Sequence, residues 1–412
     1  MPSRTKPGQG FVTEIPGTVP LSTPDKHPAA RGVGVLGLHE GRTLLLALET
    51  RCVFARAAAG CDLNQDKLDA CRRELPDLPY TTDYAAMLAR EDVHIVAVYT
   101  PDHLHADHIT QAFEAGKDVI CTKPLTNTIE DARRILEAGR ANNRRLLVGQ
   151  SSRFFEPFRR QRRLLEQGKH GGLDAVEMID AHYIHRMDWY YRKSPWVATE
   201  TDWVFLGMSH PIDLVRWYLG RIATVHAVGG RSRMGSSFGV KGHDMYMINF
   251  VAEDGRIGRA MGHYGCHELP SARNCIECMI YAAGGSSLAQ YHDMRFVRTA
   301  ETGDHAAATD AFDPGELMEI TEDCLYAGRQ YYFNSEVHGM HYGEFANYAD
   351  TFARALIEGT PTSPELEEGV ETVCVMEAVR RSAQSGKPVE LGAPPRRGRA
   401  PRLKYPLCSR PG

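Results

Sequence analysis

The first spacing with chemical meaning is a glycine run and a carboxylate about twenty residues after it. Gly37-Leu38-His39-Glu40-Gly41-Arg42 closes a short apolar stretch and opens a helical pattern. A glycine at a strand end permits a tight turn, and the free N–H groups of the helix behind it suit a pyrophosphate. A literal G-x-G-x-x-G also exists at Gly32, Gly34 and Gly37, but its first two glycines belong to the strand itself. In the later register His39 holds the place of the second glycine, where backbone normally approaches phosphate. Asp62 ends the next apolar run, where a carboxylate would accept hydrogen bonds from an adenosine ribose. No Arg follows it in Leu63-Asn64, which favours NAD over NADP. Taken singly, the glycine run is equally a plain turn, and Asp62 equally a residue that starts a helix. Their order along the chain points to a dinucleotide.

Other clusters carry less. His103, His105 and His108 form H-x-H-x-x-H, but the spacing straddles a loop and a helix, so no metal site is expected there. Cys275 and Cys278 form a lone C-x-x-C in a strand-like run. Residues three apart in a strand point to opposite faces, which argues against zinc or redox chemistry. No metal is expected anywhere in the chain.

The elements that must hold these residues alternate in the first half. Apolar runs at 32–37, 53–60, 93–100, 118–121 and 145–150 read as strands. Helical spacing fills 42–50, 67–75, 84–90, 103–115 and 128–142. Such alternation predicts a doubly wound parallel sheet, an α/β Rossmann domain over 31–154. Strands then follow one another at 175–183, 225–231, 245–252, 257–264 and 274–282, interrupted by a helix at 211–218. Long helical patterns at 344–358 and 366–385 close the chain. This half, 155–391, is expected to be α+β with an open, mostly antiparallel sheet. Residues 1–30 read as an extended segment, and the Pro/Arg-rich stretch 392–412 as a disordered, solvated tail.

Composition narrows the class. The 412 residues are 42% hydrophobic and 24% charged with a net charge of −4, which disfavours a nucleic-acid partner. No apolar run approaches the roughly 20 residues of a membrane span, and 44–48 is too short. The first thirty residues lack the apolar core of a secretory signal, so a cytoplasmic protein is expected. Cysteines 52, 61, 71, 121, 266, 275, 278, 324, 374 and 408 are scattered through patterned elements and read as reduced thiols.

The stretch YTPDHLHADHITQAFEAGKDVICTKPLTNTIEDA, followed by LLVGQSSRFFEP, resembles the Gfo/Idh/MocA oxidoreductases. The matching pieces are Thr100-Pro101 with His105, Ala115-Gly116-Lys117, Cys121-Thr122-Lys123-Pro124-Leu125, and Arg153 with Pro157. Gly207-Met208-Ser209-His210-Pro211-Ile212-Asp213 resembles the family's second-domain motif. The resemblance runs from about Arg31 to Leu391. It implies a Rossmann domain, a second domain on an open sheet, a nicotinamide cofactor and a sugar or cyclitol substrate. It also implies a homo-oligomer, dimer or tetramer. Three positions depart from the family pattern: His39 for a glycine, Thr122 for a Glu that would meet the nicotinamide ribose, and Leu206 for an Asp.

With that resemblance, Lys123 becomes the expected acid or base. It follows a short strand and precedes Pro124, at the end of the sheet where ligands of such folds bind. Burial and a cationic nicotinamide would lower its pKa. Otherwise it is a surface lysine in an ion pair. His210 and Asp213 share a helix face, so Asp213 would orient the imidazole that gives or takes the substrate proton. Cofactor contacts are expected from Gly37, His39, Glu40, Gly41, Arg42, Asp62, Thr100, Pro101, His105, Thr122 and Lys123. Substrate contacts are expected from Lys123, Arg153, Asp202, Trp203 and His210, with His263 and the aromatic run 189–193 as further candidates. The expected activity is NAD(H)-dependent oxidation or reduction of a secondary hydroxyl on a sugar, aminosugar or cyclitol. Redox-neutral epimerisation or glycoside cleavage, and non-catalytic dinucleotide sensing, are the alternatives.

Overall fold

The computed structural model describes residues 24–269, 272, 274–300, 319–324 and 342–392. The expected tail from 393 onward, and residues 1–23 of the expected extended segment, lie outside the described residues. The chain divides into two compact units. One takes the residues up to Glu156 together with Cys324–Glu371; the other takes Pro157–Asp323 and the residues from Thr372. The second expected domain was continuous over 155–391. The return of Cys324–Glu371 to the first unit is the difference, and its cause is packing described below.

The first unit holds six strands: β1 (Arg31–Leu36), β2 (Ala55–Cys61), β3 (Tyr80–Thr81), β4 (Ile95–Val98), β5 (Asp118–Thr122) and β6 (Leu146–Gly149). They form one parallel sheet in the order β3-β2-β1-β4-β5-β6. Near-continuous apolar strands such as Ile-Val-Ala-Val in β4, fully buried, are what a sheet covered on both faces requires. The order reverses between β1 and β4, so the crevice for a ligand opens at their carboxyl ends. The two-residue β3 carries no period of its own and escapes sequence reading.

The helix Gly41–Thr50 buries Leu44, Leu45, Ala47 and Leu48 against this sheet. The helix Tyr342–Glu358 packs beside it, adding Phe345, Tyr348, Phe352 and Ala353 to the same core. That apolar face is why a segment so late in sequence joins the first unit. Burial of a ring like Phe352, with no exposed surface, is worth about 3–5 kcal/mol against alanine. Lys26 clamps the other end of the helix Gly41–Thr50. Its Nζ donates to the carbonyls of Leu48, Glu49 (3.2 Å) and Cys52 (2.6 Å), where a cation meets the negative helix end.

The second unit is built on a nine-stranded sheet. Its strands are β7 (Val176–Ile184), β8 (Ile222–Gly230), β9 (Met245–Ala252), β10 (Ile257–His263), β11 (Cys275–Ala282), β12 (Gly285–Gln290), β13 (Arg295–Thr299), β14 (Glu319–Asp323) and β15 (Val389–Glu390). The order is β14-β13-β12-β11-β7-β10-β9-β8-β15, antiparallel throughout except between β7 and β10. Alternation in β9 (Tyr246, Ile248, Phe250 and Ala252 buried; Met247 and Val251 exposed) gives one packed and one open face. The helix Ser209–Leu219 packs against β7, β10 and β11 on the packed face. The helix Glu156–Glu166 is hidden in sequence by its charge. It buries Phe158, Gln161 and Leu165, and Gln161 Nε2 donates to the carbonyls of Cys278 (2.9 Å) and Ser287 (3.0 Å).

No described helix is long and apolar enough to cross a membrane. The nine described cysteines are free thiols, and burial pushes the Cys61 thiol up to about 12 and the Cys71 thiol up to about 11.

Candidate functional site

At the carboxyl end of β1 the chain turns at Gly37, whose φ is +89°. A Cβ there would sit 2.6 Å from the Tyr99 carbonyl oxygen, so only glycine lets this turn lie against the end of β4. Gly41 begins the helix, and a Cβ on it would come within 2.7 Å of Val35 Cγ1. In the G-x-G-x-x-G spacing that starts at Gly37, Arg42 holds the third position and Gly41 lies one residue before it. His39 and Glu40 between them are exposed, and Glu40 at the helix N-cap makes no side-chain cap. Gly32 and Gly34 lie inside β1, so the literal motif is structural. Arg42 is held in an ion pair with Glu74, with Nε donating to Oε2 at 2.6 Å.

Asp62 is almost buried and closes the turn. Its Oδ2 accepts from the Leu38 N–H at 2.7 Å and from Lys67 Nζ at 3.2 Å; its Oδ1 accepts from the Asn64 N–H at 2.9 Å. The carboxylate keeps lone pairs for a ribose. Lys67 is a cation beside it that a search for a following Arg overlooks.

Lys123 follows the last residue of β5. Burial lowers its pKa below the ordinary lysine value, against the opposing pull of the Glu40 and Asp102 carboxylates. Behind it, His105 is buried with Nδ1 3.0 Å from the Pro124 carbonyl and Nε2 2.8 Å from the Thr100 carbonyl. Burial also holds this imidazole below the usual histidine range. A neutral ring donates to one carbonyl at a time. His105 thus lies between the Thr100-Pro101 loop and the Lys123-Pro124 turn, with each ring nitrogen facing a backbone carbonyl. His108 Nδ1 pairs with Thr100 Oγ1 at 3.0 Å, and Thr122 Oγ1 donates to the Val98 carbonyl at 3.2 Å. His103 lies apart from them on the 3-10 turn Asp102–Leu104. Arg153, expected at a substrate, is buried. Its Nη1 donates to Ser363 Oγ at 2.7 Å and Glu368 Oε1 at 3.1 Å, a tie within the first unit.

In the second unit, His210 and Asp213 lie one turn apart on the helix Ser209–Leu219, 5% and 0% exposed. The His210 ring meets Tyr183 edge to face at 5.3 Å between centroids. Tyr183 in turn stacks on His185 at 6.2 Å, and His185 Nδ1 pairs with Glu268 Oε2 at 2.9 Å. Tyr183, His185 and Glu268 were not singled out from the sequence. The only available signal was the phase of β7, which sends Tyr183 to the packed face.

Trp203 and Asp202, expected to meet substrate, are both held by neighbours within the second unit. Trp203 is 1% exposed, stacked on Tyr264 at 4.5 Å, and donates from Nε1 to Tyr191 Oη at 2.5 Å. Asp202 Oδ1 accepts from Tyr246 Oη at 2.5 Å and from the Val204 N–H at 2.9 Å. His263 Nδ1 accepts from the Gly265 N–H at 3.2 Å. The exposed ring of this region is Trp189, from the aromatic run, 6.3 Å from His185.

A Rossmann sheet with a glycine turn at its switch point, joined to an open-sheet domain, defines a dinucleotide-dependent oxidoreductase class. The family comparisons agree. Residues 31–150 match the oxidoreductase family, NAD-binding Rossmann fold, and residues 162–391 match that family's C-terminal alpha/beta domain. The chain belongs to the Gfo/Idh/MocA oxidoreductases. It is 25% identical to levoglucosan dehydrogenase of Pseudarthrobacter phenanthrenivorans over 74% of this chain and 81% of that one. It is 30% identical to inositol 2-dehydrogenase 1 of Saccharopolyspora erythraea over 49% of this chain and 58% of that one. A cyclohexadiene dehydrogenase of Comamonas testosteroni is 29% identical over 48% of this chain, and the match spans half of that relative's length. In structure it resembles levoglucosan dehydrogenase in complex with NADH and levoglucosan, with a TM-score of 0.71 and 20% identity over 88% of this chain and 99% of that one.

Proposed function

We propose that the protein is an NAD(H)-dependent dehydrogenase acting on a secondary hydroxyl of a sugar, aminosugar or cyclitol. Lys123 and His210 are its acid–base groups. The observation that carries this is Lys123: an amine with a lowered pKa, at the carboxyl end of β5 beside the sheet's switch point. Gly37, Gly41 and the helix N-terminus behind them hold the pyrophosphate, and Asp62 accepts from the adenosine ribose. The dinucleotide supplies the hydride acceptor, and the protein's part is to place it and to move one proton. Asp213 orients His210. His105 positions the lysine turn, and Trp189 offers an aromatic face to the substrate ring.

The test is a panel of polyols with NAD and NADP, followed at the nicotinamide absorbance band. Reduced cofactor is expected with NAD, with NADP at least about tenfold poorer in kcat/KM because Asp62 repels a 2′-phosphate. Equal use of NADP would assign Lys67 to that phosphate and remove the preference for NAD. Tightly bound NAD with no net reduction would instead indicate redox-neutral chemistry.

We also propose a homo-oligomer formed through the open face of the nine-stranded sheet. One row across that face, Tyr281–Met178–Ile257–Val251, leaves every member between 38% and 48% exposed, and the pair Met247–Val228 beyond the Asp180–Arg259–Asn249 row exceeds 60%. Exposed apolar side chains gathered on one face suit a protein contact. Sedimentation velocity should show a dimer or tetramer, and a monomer at micromolar concentration would sink the idea.

A further inference from the structure

On the open face of the same sheet, three strands bring together donors that sequence spacing does not connect. Glu277 on β11 stands directly opposite His182 on β7 and opposite Gln290 on β12. Cys275, two residues before Glu277, points to the same face, whereas Cys278 points to the other. His182 Nε2 is 3.2 Å from Glu277 Oε2. Cys275 Sγ is 3.5 Å from His182 Nε2 and 3.5 Å from Glu277 Oε1. All three ligand atoms lie within 4.8 Å of one another.

We propose that His182, Cys275 and Glu277 form a metal site for a borderline transition ion of the zinc class. Zinc binds sulfur at about 2.3 Å and nitrogen or oxygen at about 2.0–2.2 Å, so tetrahedral ligands sit roughly 3.3–3.6 Å apart. The Cys275–His182 and His182–Glu277 separations lie near that spacing; Cys275 meets the other carboxylate oxygen, so the carboxylate would turn to present one oxygen to both. An imidazole and a thiolate select against magnesium and calcium, which take oxygen ligands. The sequence reading expected no metal because the C-x-x-C pair diverges. It does diverge, and the partners of Cys275 come from across the sheet.

One further contact fits an ion. Gln290 Nε2 donates to Glu277 Oε1 at 2.7 Å, the kind of outer contact that fixes a ligating carboxylate. His292 Nε2 stands 3.7 Å from Glu277 Oε1 but outside the group of three, so water would complete the tetrahedron. Because neighbouring strand residues face opposite ways, this site lies on the other side of β7 from Tyr183. It is a structural clip joining β7 and β11. Binding releases the Cys275 thiol proton and forms a metal–sulfur bond, with no change of oxidation state.

The experiment uses untagged full-length protein, treated with chelator, desalted and titrated with cobalt(II). One ion per chain is expected, with a thiolate-to-cobalt charge-transfer band and tetrahedral visible bands, both displaced stoichiometrically by zinc. Cys275→Ser should abolish the charge-transfer band and weaken binding by at least about tenfold, as should His182→Ala. Cys278→Ser should keep the band. Because the band is read on the wild-type chain, misfolding of a variant does not blunt the test. No bound cobalt, cobalt without the thiolate band, or a band lost in Cys278→Ser but kept in Cys275→Ser overturns the site.

Discussion

Replacing Lys123 with alanine is expected to lower kcat for polyol oxidation by about a hundred- to ten-thousand-fold, the range of a lost general acid–base group. The pH profile gives the sharper result. In the oxidation direction the neutral amine takes the hydroxyl proton, so the rate rises with pH until the folded-state pKa of Lys123 is passed. Burial lowers that pKa, so the rise should finish below the ordinary lysine range. In the reduction direction the ammonium gives the proton, and the rate falls through the same pKa. Lys123→Arg keeps the charge but does not titrate near neutral pH, so it should not rescue activity.

Stability should depend on the same group. Between the lowered folded pKa and the higher unfolded one, the unfolded chain binds more protons. Stability contributed by this residue therefore rises with pH across that window and is least below it. Lys123→Met removes the cost of a buried cation, so its melting temperature at neutral pH should equal or exceed that of the wild type. A variant that loses activity and melts early would make Lys123 a structural residue. Full activity in Lys123→Ala would remove it from the mechanism.

Much of the first unit was legible because parallel strands covered on both faces leave runs with a single period. The strands around Val35, Val96 and Ile120 could be placed from apolar residues alone, and the glycine turn followed from where the first run stopped. Return of the helix Tyr342–Glu358 to this sheet was not legible, since amphipathic spacing shows that a helix has a buried face but not what covers it. The same limit applies to Arg153, Asp202 and Trp203. Their types suit a sugar site, yet whether a guanidinium meets Glu368 or an indole lies flat on Tyr264 depends on contacts distant in sequence. His105 shows a subtler failure: its motif position was read from the resemblance, but its two backbone carbonyls come from loops brought together by the sheet. Cys275 shows the converse, where a pattern set aside along the chain gains partners across it.

His210 should show the second large effect. His210→Ala is expected to reduce kcat by about a hundred- to ten-thousand-fold with a smaller change in KM, because a proton-transfer group acts mainly in the transition state. The geometry adds a graded series. Tyr183 lies against the His210 ring edge, His185 stacks on Tyr183, and Glu268 fixes His185 from its far side. A carboxylate hydrogen-bonded to an imidazole sets its tautomer and orientation. Glu268→Gln keeps a hydrogen-bonding group but removes the charge that orients His185. If Glu268 acts through these rings, kcat should fall by about tenfold with KM and melting temperature little changed. Glu268 Oε2 also accepts from the backbone N–H groups of Arg186 (3.2 Å) and Asn274 (3.1 Å), so a purely structural role is the competing account. That role predicts a lower melting temperature and an unchanged kcat. A His185→Phe variant separates the two: it keeps a ring against Tyr183 but cannot pair with Glu268. If it matches Glu268→Gln in kcat, the pair positions the His210 site. If its kcat stays at the wild-type value, Glu268 serves only the loop around Asn274, and His210 acts without it.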